Sequence, residues 1–421
     1  MAHISQNTPY ARKTPGFKQF KWAHQKHVRL MLLLTACALV LGLILFAGNS
    51  NTAYTGASTS SRDACSTVFL AANEISLNVS ILSPENTTYT TSDIPLKFTA
   101  NASASWIGYS LDGQANASTV GNMTLTNLAE GSHYIVVYSN DTAGRMISSQ
   151  TVYFTIRHLS IPEIAFLGAL QGLTEWLPVS STAHLIMAEH FLGFPAIPLL
   201  DIILHVGTLV VVVFYFRKEV KNILSALAHL DFKSEHGQLI PLIIVATIPT
   251  GIIGLLYVKF LEDTLQTLLA IGITFLVGAA ILYTSRIGKE NKDTLTYMIA
   301  FIMGSAQGLA IFPGLSRSGI TISTALLLGL KREKAFKFSF LLSIPAIIGD
   351  LAVEAYKQRG QLAAQGIGTI ELLVGVIIAM VAGYVAIKLV SKVLSSKKFH
   401  YFAIYTLLLG ITLIALALSG F

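Results

Sequence analysis

Apolar and polar positions along this chain fall into two textures that change abruptly near Arg157. Between about residues 66 and 157, apolar residues alternate with polar ones in short runs such as IPLKFTA, HYIVVYS and TVYFTI, each bounded by Asn, Gly, Ser or Asp. A period of two punctuated by turn formers predicts a small antiparallel sandwich. After Arg157 the apolar positions run together, at 199–216, 239–258, 266–284, 338–356, 370–390 and 402–420, each long enough to cross a bilayer as a helix. An earlier run at 29–47 follows Arg12, Lys13, Lys18, Lys21 and Lys26. It has the length of an uncleaved anchor with a cytoplasmic N-terminus, cleavage near Ala47 being the alternative. The expected organisation is a cytoplasmic basic tail at 1–28, an anchor at 29–48, an extracytoplasmic β domain at 49–157 and a membrane core at 158–421.

Two stretches of the core, 161–194 and 295–330, are too broken to be simple spans. GALQGLTEWLPVSSTAHL, from Gly168, and GSAQGLAIFPGLSRSG, from Gly304, are diverged copies. Each reads Gly-x-x-Gln-Gly-Leu, then a proline six or seven residues after the Gln, then a serine three beyond the proline. Pro178 and Pro313 lack an amide hydrogen, so each copy is expected to enter the membrane, turn, and offer freed backbone groups to a cavity. Paired interruptions of this kind point to a binding site at a repeat interface.

The basic residues orient the core. Loops at 217–233, 286–292, 331–337 and 388–398 carry fifteen Lys and Arg, against Lys259, Lys357 and Arg359 in the alternate loops, which places the former in the cytoplasm and the β domain outside. Three spans and one hairpin per half make an odd number of crossings. The second half is then inverted relative to the first, and the two hairpins dip in from opposite faces. The expected fold is an α-helical polytopic core with an inverted repeat, six spans and two re-entrant hairpins, in the plasma membrane.

Composition agrees: 53% hydrophobic and 12% charged residues, with a mean hydropathy of +0.62, exclude an ordinary soluble protein. The formal charge of +7 does not signal nucleic acid, because the cations lie between apolar spans and not on one face. Cys37 and Cys65, the two cysteines, make no disulfide framework. The β region holds sequons at Asn78, Asn86, Asn101, Asn116, Asn122 and Asn140, surface acceptors in a compartment that glycosylates. Its SPENTTYTTSDIPLKF, SLDG and HYIVVYSND stretches resemble immunoglobulin-like domains of secreted surface proteins, and it reads as a spacer or adhesive module.

One cation belongs to no loop. Arg317 lies inside the second copy, where a guanidinium at membrane depth costs about 2.5 to 3.5 kcal/mol and needs an anionic partner, either a structural carboxylate or a ligand. Ser316, Ser318 and Thr321 add hydroxyls, and Gly314 and Gly319 allow close backbone approach, the inventory of a phosphate cradle. In the first copy Glu175 follows Gln171 by four residues, so both project from one helix face and could hold magnesium, or calcium, or act in acid–base chemistry. Ser180, Ser181, Thr182 and His184 follow Pro178; alone they read as helix caps and an interior imidazole. Together with the arginine they are the parts needed to attack phosphorus and hold its charge, and their depth implies a lipid-linked phosphate.

QGLTEWLPVSSTAHL and PGLSRSGITIS resemble the two signature motifs of the undecaprenyl-diphosphate phosphatases, the bacitracin-resistance family, and the likeness extends over 161–421, including KFSFLLSIPAIIGD. The resemblance implies a membrane enzyme that removes the terminal phosphate of a polyprenyl diphosphate, undecaprenyl or dolichyl, with a divalent cation. It gives Glu175 the essential acidic role, Arg317 the diphosphate clamp, Ser181 the nucleophile and His184 the proton donor or acceptor, while leaving open attack by a water that Glu175 activates. Gln171 stands where many relatives carry glutamate, and Ala183 where glycine is common. A transporter or flippase of a phosphorylated lipid is the alternative, since broken helices at mid-membrane also build transporters. The expected partners are the lipid and the membrane, with room for a homo-oligomer and for glycan or surface-layer contacts through the β domain.

Overall fold

The computed structural model describes residues 78–100, 104–141, 144–359 and 366–419. The basic tail, the anchor, both cysteines and Asn101 lie outside the described residues.

The alternating segment forms nine strands: β1 (Val79–Ser83), β2 (Thr88–Tyr89), β3 (Ile94–Ala100), β4 (Ala104–Leu111), β5 (Ala117–Ser118), β6 (Met123–Leu125), β7 (Gly131–Asp141), β8 (Met146–Ser148) and β9 (Val152–Ile156). They make two sheets, one ordered β1-β3-β6 and the other β2-β9-β7-β4-β5 with β8 beside β7. In β3, Ile94, Leu96 and Phe98 are buried while the residues between them are exposed, and they share one core with Ile135, Val137, Phe154 and Ile156 of the second sheet. Period-two patterning thus buries one face of each sheet against the other. The β2–β9 pair is parallel, a departure from the all-antiparallel expectation. Asn78, Asn86, Asn116 and Asn122 are exposed, whereas Asn140 is half-buried within β7.

The core is helical: α1 (Ile161–Trp176), α2 (Ser181–Leu192), α3 (Pro198–Tyr215), α4 (Arg217–Ala228), α5 (Leu239–Phe260), α6 (Leu268–Thr284), α7 (Tyr297–Leu309), α8 (Arg317–Leu327), α9 (Arg332–Lys357), α10 (Thr369–Ser395) and α11 (Phe402–Leu418). Six are long and apolar enough to cross a membrane: α3, α5, α6, α9, α10 and α11. Their bounds differ from the expected spans by two residues or fewer, except that α10 runs five residues further, to Ser395, and α9 begins six residues earlier because its first two turns are amphipathic and carry Arg332, Lys334 and Lys337. Between Arg217 and Ala228 an amphipathic helix, α4, replaces an expected loop.

The two repeat copies form the helix–break–helix units α1–α2 and α7–α8. Each long arm packs on a helix from the other half of the core: α1 runs along α10, and α7 along α5. The shared glycine explains this. A Cβ on Gly168 would lie 2.6 Å from the Gly375 carbonyl oxygen, and one on Gly304 would overlap the Ala246 carbonyl, so both arms approach backbone to backbone. Between membrane helices, where lipid supplies no hydrophobic drive, such close packing is a main source of association. At the head of the core, Arg157 bonds Glu163 of α1 and the Leu192 carbonyl of α2 and covers the Phe194 ring, tying β9 to the outer ends of the first unit.

Candidate active site

Helix α1 ends because Pro178 cannot continue it, and the resulting turn leaves the Trp176 and Leu177 carbonyls without helical donors. Donors come from the other copy. Ser318 Oγ donates to the Trp176 carbonyl at 3.0 Å and Ser316 Oγ to that of Leu177 at 3.3 Å. In return the Gly314 amide donates to Ser180 Oγ at 3.0 Å. Ser180 takes φ +69°, a left-handed backbone that costs a non-glycine residue about 1 kcal/mol or more and is held here by that cross-copy bond. The two breaks are stitched face to face.

At the seam sits Glu175, its side chain only 4% exposed. Its Oε2 accepts from Ser181 Oγ at 2.6 Å and from Gln171 Nε2 at 3.2 Å, and lies 3.7 Å from His205 Nε2. Its Oε1 accepts from Arg317 Nη1 at 3.4 Å. The other terminal nitrogen, Arg317 Nη2, lies 3.6 Å from Asp350 Oδ2. A buried carboxylate in this setting must be paired and hydrogen-bonded, and Glu175 is both. Glu175, Trp176, Arg317, Ser318, Ser339, Phe340 and Ser343 line a small cavity, one wall of which is Trp176 stacked on Phe340 with centroids 5.1 Å apart.

Of the residues expected from sequence, Gln171, Glu175, Ser181 and Arg317 therefore converge. Ser318 lines the same cavity, and the others make their bonds elsewhere. Both ring nitrogens of His184, the expected proton donor or acceptor, are engaged elsewhere, Nδ1 with the Ser180 carbonyl at 2.7 Å and Nε2 with Tyr405 Oη at 2.6 Å. Thr182 is exposed. Gly314, Ser180, Ser316 and Ser318 hold the two turns together, Ser316 Oγ also capping α8 through the Gly319 amide, and Thr321 Oγ1 bonds the Arg317 carbonyl and Ser339. The expected hydroxyl cradle is largely a structural brace. Its physical reason is the accounting of freed carbonyls at two proline breaks, which the nearest hydroxyls answer.

Sequence reasoning missed His205 and Asp350. The signal for Asp350 was present, a carboxylate inside the apolar run IPAIIGDLAVEAY. His205 lies one turn after Asp201 on α3, and its Nδ1 faces the Asp201 carbonyl at 2.8 Å, which leaves Nε2 toward Glu175.

For a divalent cation the described residues offer Glu175 and Gln171 Oε1, an acceptor buried without a partner; no group of three His, Cys, Asp or Glu among them could hold a metal. Two hard oxygens fit magnesium in the manner of phosphoryl-transfer sites, where substrate phosphates and water complete the octahedron.

Comparison with known proteins agrees in extent with the helical core. A family model described as bacitracin resistance protein BacA matches residues 164–412. An undecaprenyl-diphosphatase of Carboxydothermus hydrogenoformans is 41% identical over 261 residues, 60% of this chain and 96% of its own. Those of Korarchaeum cryptofilum and Methanosphaera stadtmanae are 36% and 39% identical, over 61% and 62% of this chain and 100% and 99% of theirs. Among solved structures, one of fibronectin(III)-like modules of CbhA from Clostridium thermocellum matches 20% of this chain and 99% of its own at 20% identity, with a TM-score of 0.18, too low to assign the β region.

Proposed function

The chain belongs to the bacitracin resistance protein family, and we propose that it is a multi-pass membrane phosphatase that hydrolyses undecaprenyl diphosphate, or a polyprenyl diphosphate with the same head group, to the monophosphate and inorganic phosphate. The observation that carries this reading is the buried Glu175, bonded at once to the Ser181 hydroxyl and the Arg317 guanidinium where the two broken helices meet.

In this reading Arg317 holds the phosphate oxygens and Glu175 handles the proton. Ser181 Oγ attacks the terminal phosphorus while its proton passes along the 2.6 Å bond to Glu175, the bridging P–O bond breaks, and Glu175 returns the proton to the departing lipid monophosphate. A water then attacks the phosphoserine, giving a proton through Glu175 back to Ser181 Oγ and releasing inorganic phosphate. Direct attack by a water activated at Glu175 yields the same products in one displacement, and trapping of a phosphoserine separates the two. Glu175 and Gln171 would hold a divalent cation, magnesium or calcium, which when bound neutralises charge on the phosphate oxygens.

We assign α1–α2 and α7–α8 as re-entrant hairpins of an inverted repeat, dipping in from opposite faces, with the N-terminus inside and the β domain, read as immunoglobulin-like, outside. The exchanged packing of α1 on α10 and α7 on α5 supports the hairpins, and the charge asymmetry of the loops supports the orientation. The purified full-length chain should release phosphate from undecaprenyl diphosphate, with a loss of about 1000-fold or more in Arg317→Ala. Binding and transbilayer movement of the lipid without phosphate release would overturn the reading in favour of a carrier.

A further inference from the structure

Arg317 is shared between two carboxylates of opposite character. Glu175, on Nη1, has a side chain 4% exposed; Asp350, on Nη2, has one 51% exposed. Asp350 sits on α9 two turns before Lys357, at the end of the apolar run IPAIIGD and one turn before Glu354, where a carboxylate is costly unless it has work to do. The triad of Glu175, Arg317 and Asp350 carries one net negative charge when all three are ionised, so it does not attract phosphate as a lone guanidinium would.

An anion that engages Arg317 must displace one of these partners. Glu175 is buried and fixed by Ser181 and Gln171, whereas Asp350 is half in the open and its contact at 3.6 Å is longer than a hydrogen bond. Displacement therefore falls on Asp350. A diphosphate brings more charge and more oxygens to that exchange than either product of its hydrolysis, so the competition weighs most heavily on the products.

We infer that Asp350 is a specificity-determining residue, a built-in competitor for Arg317 that keeps the site from retaining singly phosphorylated products, inorganic phosphate above all. The inference rests on the phosphatase reading of this site. Asp350 acts through Arg317 and through its own charge, and takes no part in bond making.

The test compares the full-length wild type with Asp350→Asn and Asp350→Glu, in detergent, by phosphate release from undecaprenyl diphosphate with inorganic phosphate as inhibitor. Loss of a half-exposed charge pair predicts an inhibition constant for phosphate about 5-fold lower in Asp350→Asn, a KM lowered by a smaller factor, and wild-type constants in Asp350→Glu. An unchanged or raised inhibition constant in an active Asp350→Asn would sink the inference, and a raised KM would show that Asp350 positions Arg317 for substrate instead. Should the wild type release no phosphate, the phosphatase reading fails by itself. Calorimetric binding of inorganic pyrophosphate to the same proteins then still decides the role of Asp350, with tighter binding in Asp350→Asn supporting it and equal binding overturning it.

Discussion

The two helix breaks carry copies of one motif yet hold different residues at their centres. Four residues after the shared glutamine the first copy has Glu175 and the second Ile311; four residues after the shared proline the first has Thr182 and the second Arg317. Each copy supplies one charge, and neither alone makes an ion pair. The common residues are those of architecture. Gly168 and Gly304 let the arms lie on the backbones of α10 and α5, and both copies answer freed polar groups of the other. The two copies make a matched scaffold, and the asymmetric pair between them carries the chemistry proposed above. An acid and a guanidinium facing each other can bind and activate, whereas two acids would repel and two guanidiniums could only bind.

The serines three residues beyond each proline offer the sharpest way to break this contrast. Ser181 donates to Glu175, while Ser316 caps α8 and braces the Leu177 carbonyl. Ser181→Ala should lower kcat by at least about 1000-fold with a melting temperature close to wild type. Ser316→Ala should instead cost about 1 kcal/mol of stability through the lost cap and lower kcat by about 10-fold or less. Equal kinetic losses in the two variants would mean that the copies are not divided as proposed.

The histidines come next. His184 bridges the Ser180 carbonyl and Tyr405, stacking on the tyrosine ring, and so ties α2 to α11, whereas His205 presents Nε2 to Glu175. His184→Asn is expected to lose roughly 1 to 3 kcal/mol of stability along with any loss of rate, because one buried and one partly buried hydrogen bond go. His205→Asn should reduce kcat about 10-fold at unchanged melting temperature, because its contact is with the reacting acid. Thermal melting run beside the kinetics distinguishes them, and a stable, inactive His184→Asn would return that residue to the proton path.

How much of this was legible in advance follows a physical line. Spans and strands were readable, because a bilayer demands long apolar runs and a sandwich demands alternation, both local properties of sequence. The convergence of Glu175 with Ser181 and Arg317 was readable because each is costly in a membrane without a partner. The bonds that His184, Ser316 and Ser318 make were not readable, because a hydroxyl or imidazole in a proline break can face a ligand or a freed carbonyl, and only the three-dimensional path of the opposite copy decides which. His205 and Asp350 reach the site from α3 and α9, and no spacing within a motif could announce them.

The glutamines give the smallest and most discriminating effect. Gln171 and Gln307 are equivalent, both are buried, and each has an Oε1 without a partner, but Gln171 Nε2 bonds Glu175 whereas Gln307 Nε2 bonds Thr250 Oγ1 and the Leu342 carbonyl at 3.4 Å each. If the open oxygen of Gln171 serves a cation beside Glu175, a second carboxylate there strengthens the hold on that cation. Gln171→Glu should then lower the magnesium concentration for half-maximal phosphate release by about 3-fold, a modest gain because the new charge also repels Glu175 and one of the two must share a proton. Gln307→Leu, which touches no acid, should leave that concentration unchanged while altering stability by about 1 kcal/mol. A shift of equal size in both variants would place the cation's influence outside the first copy and remove the case for a metal held by Gln171 and Glu175.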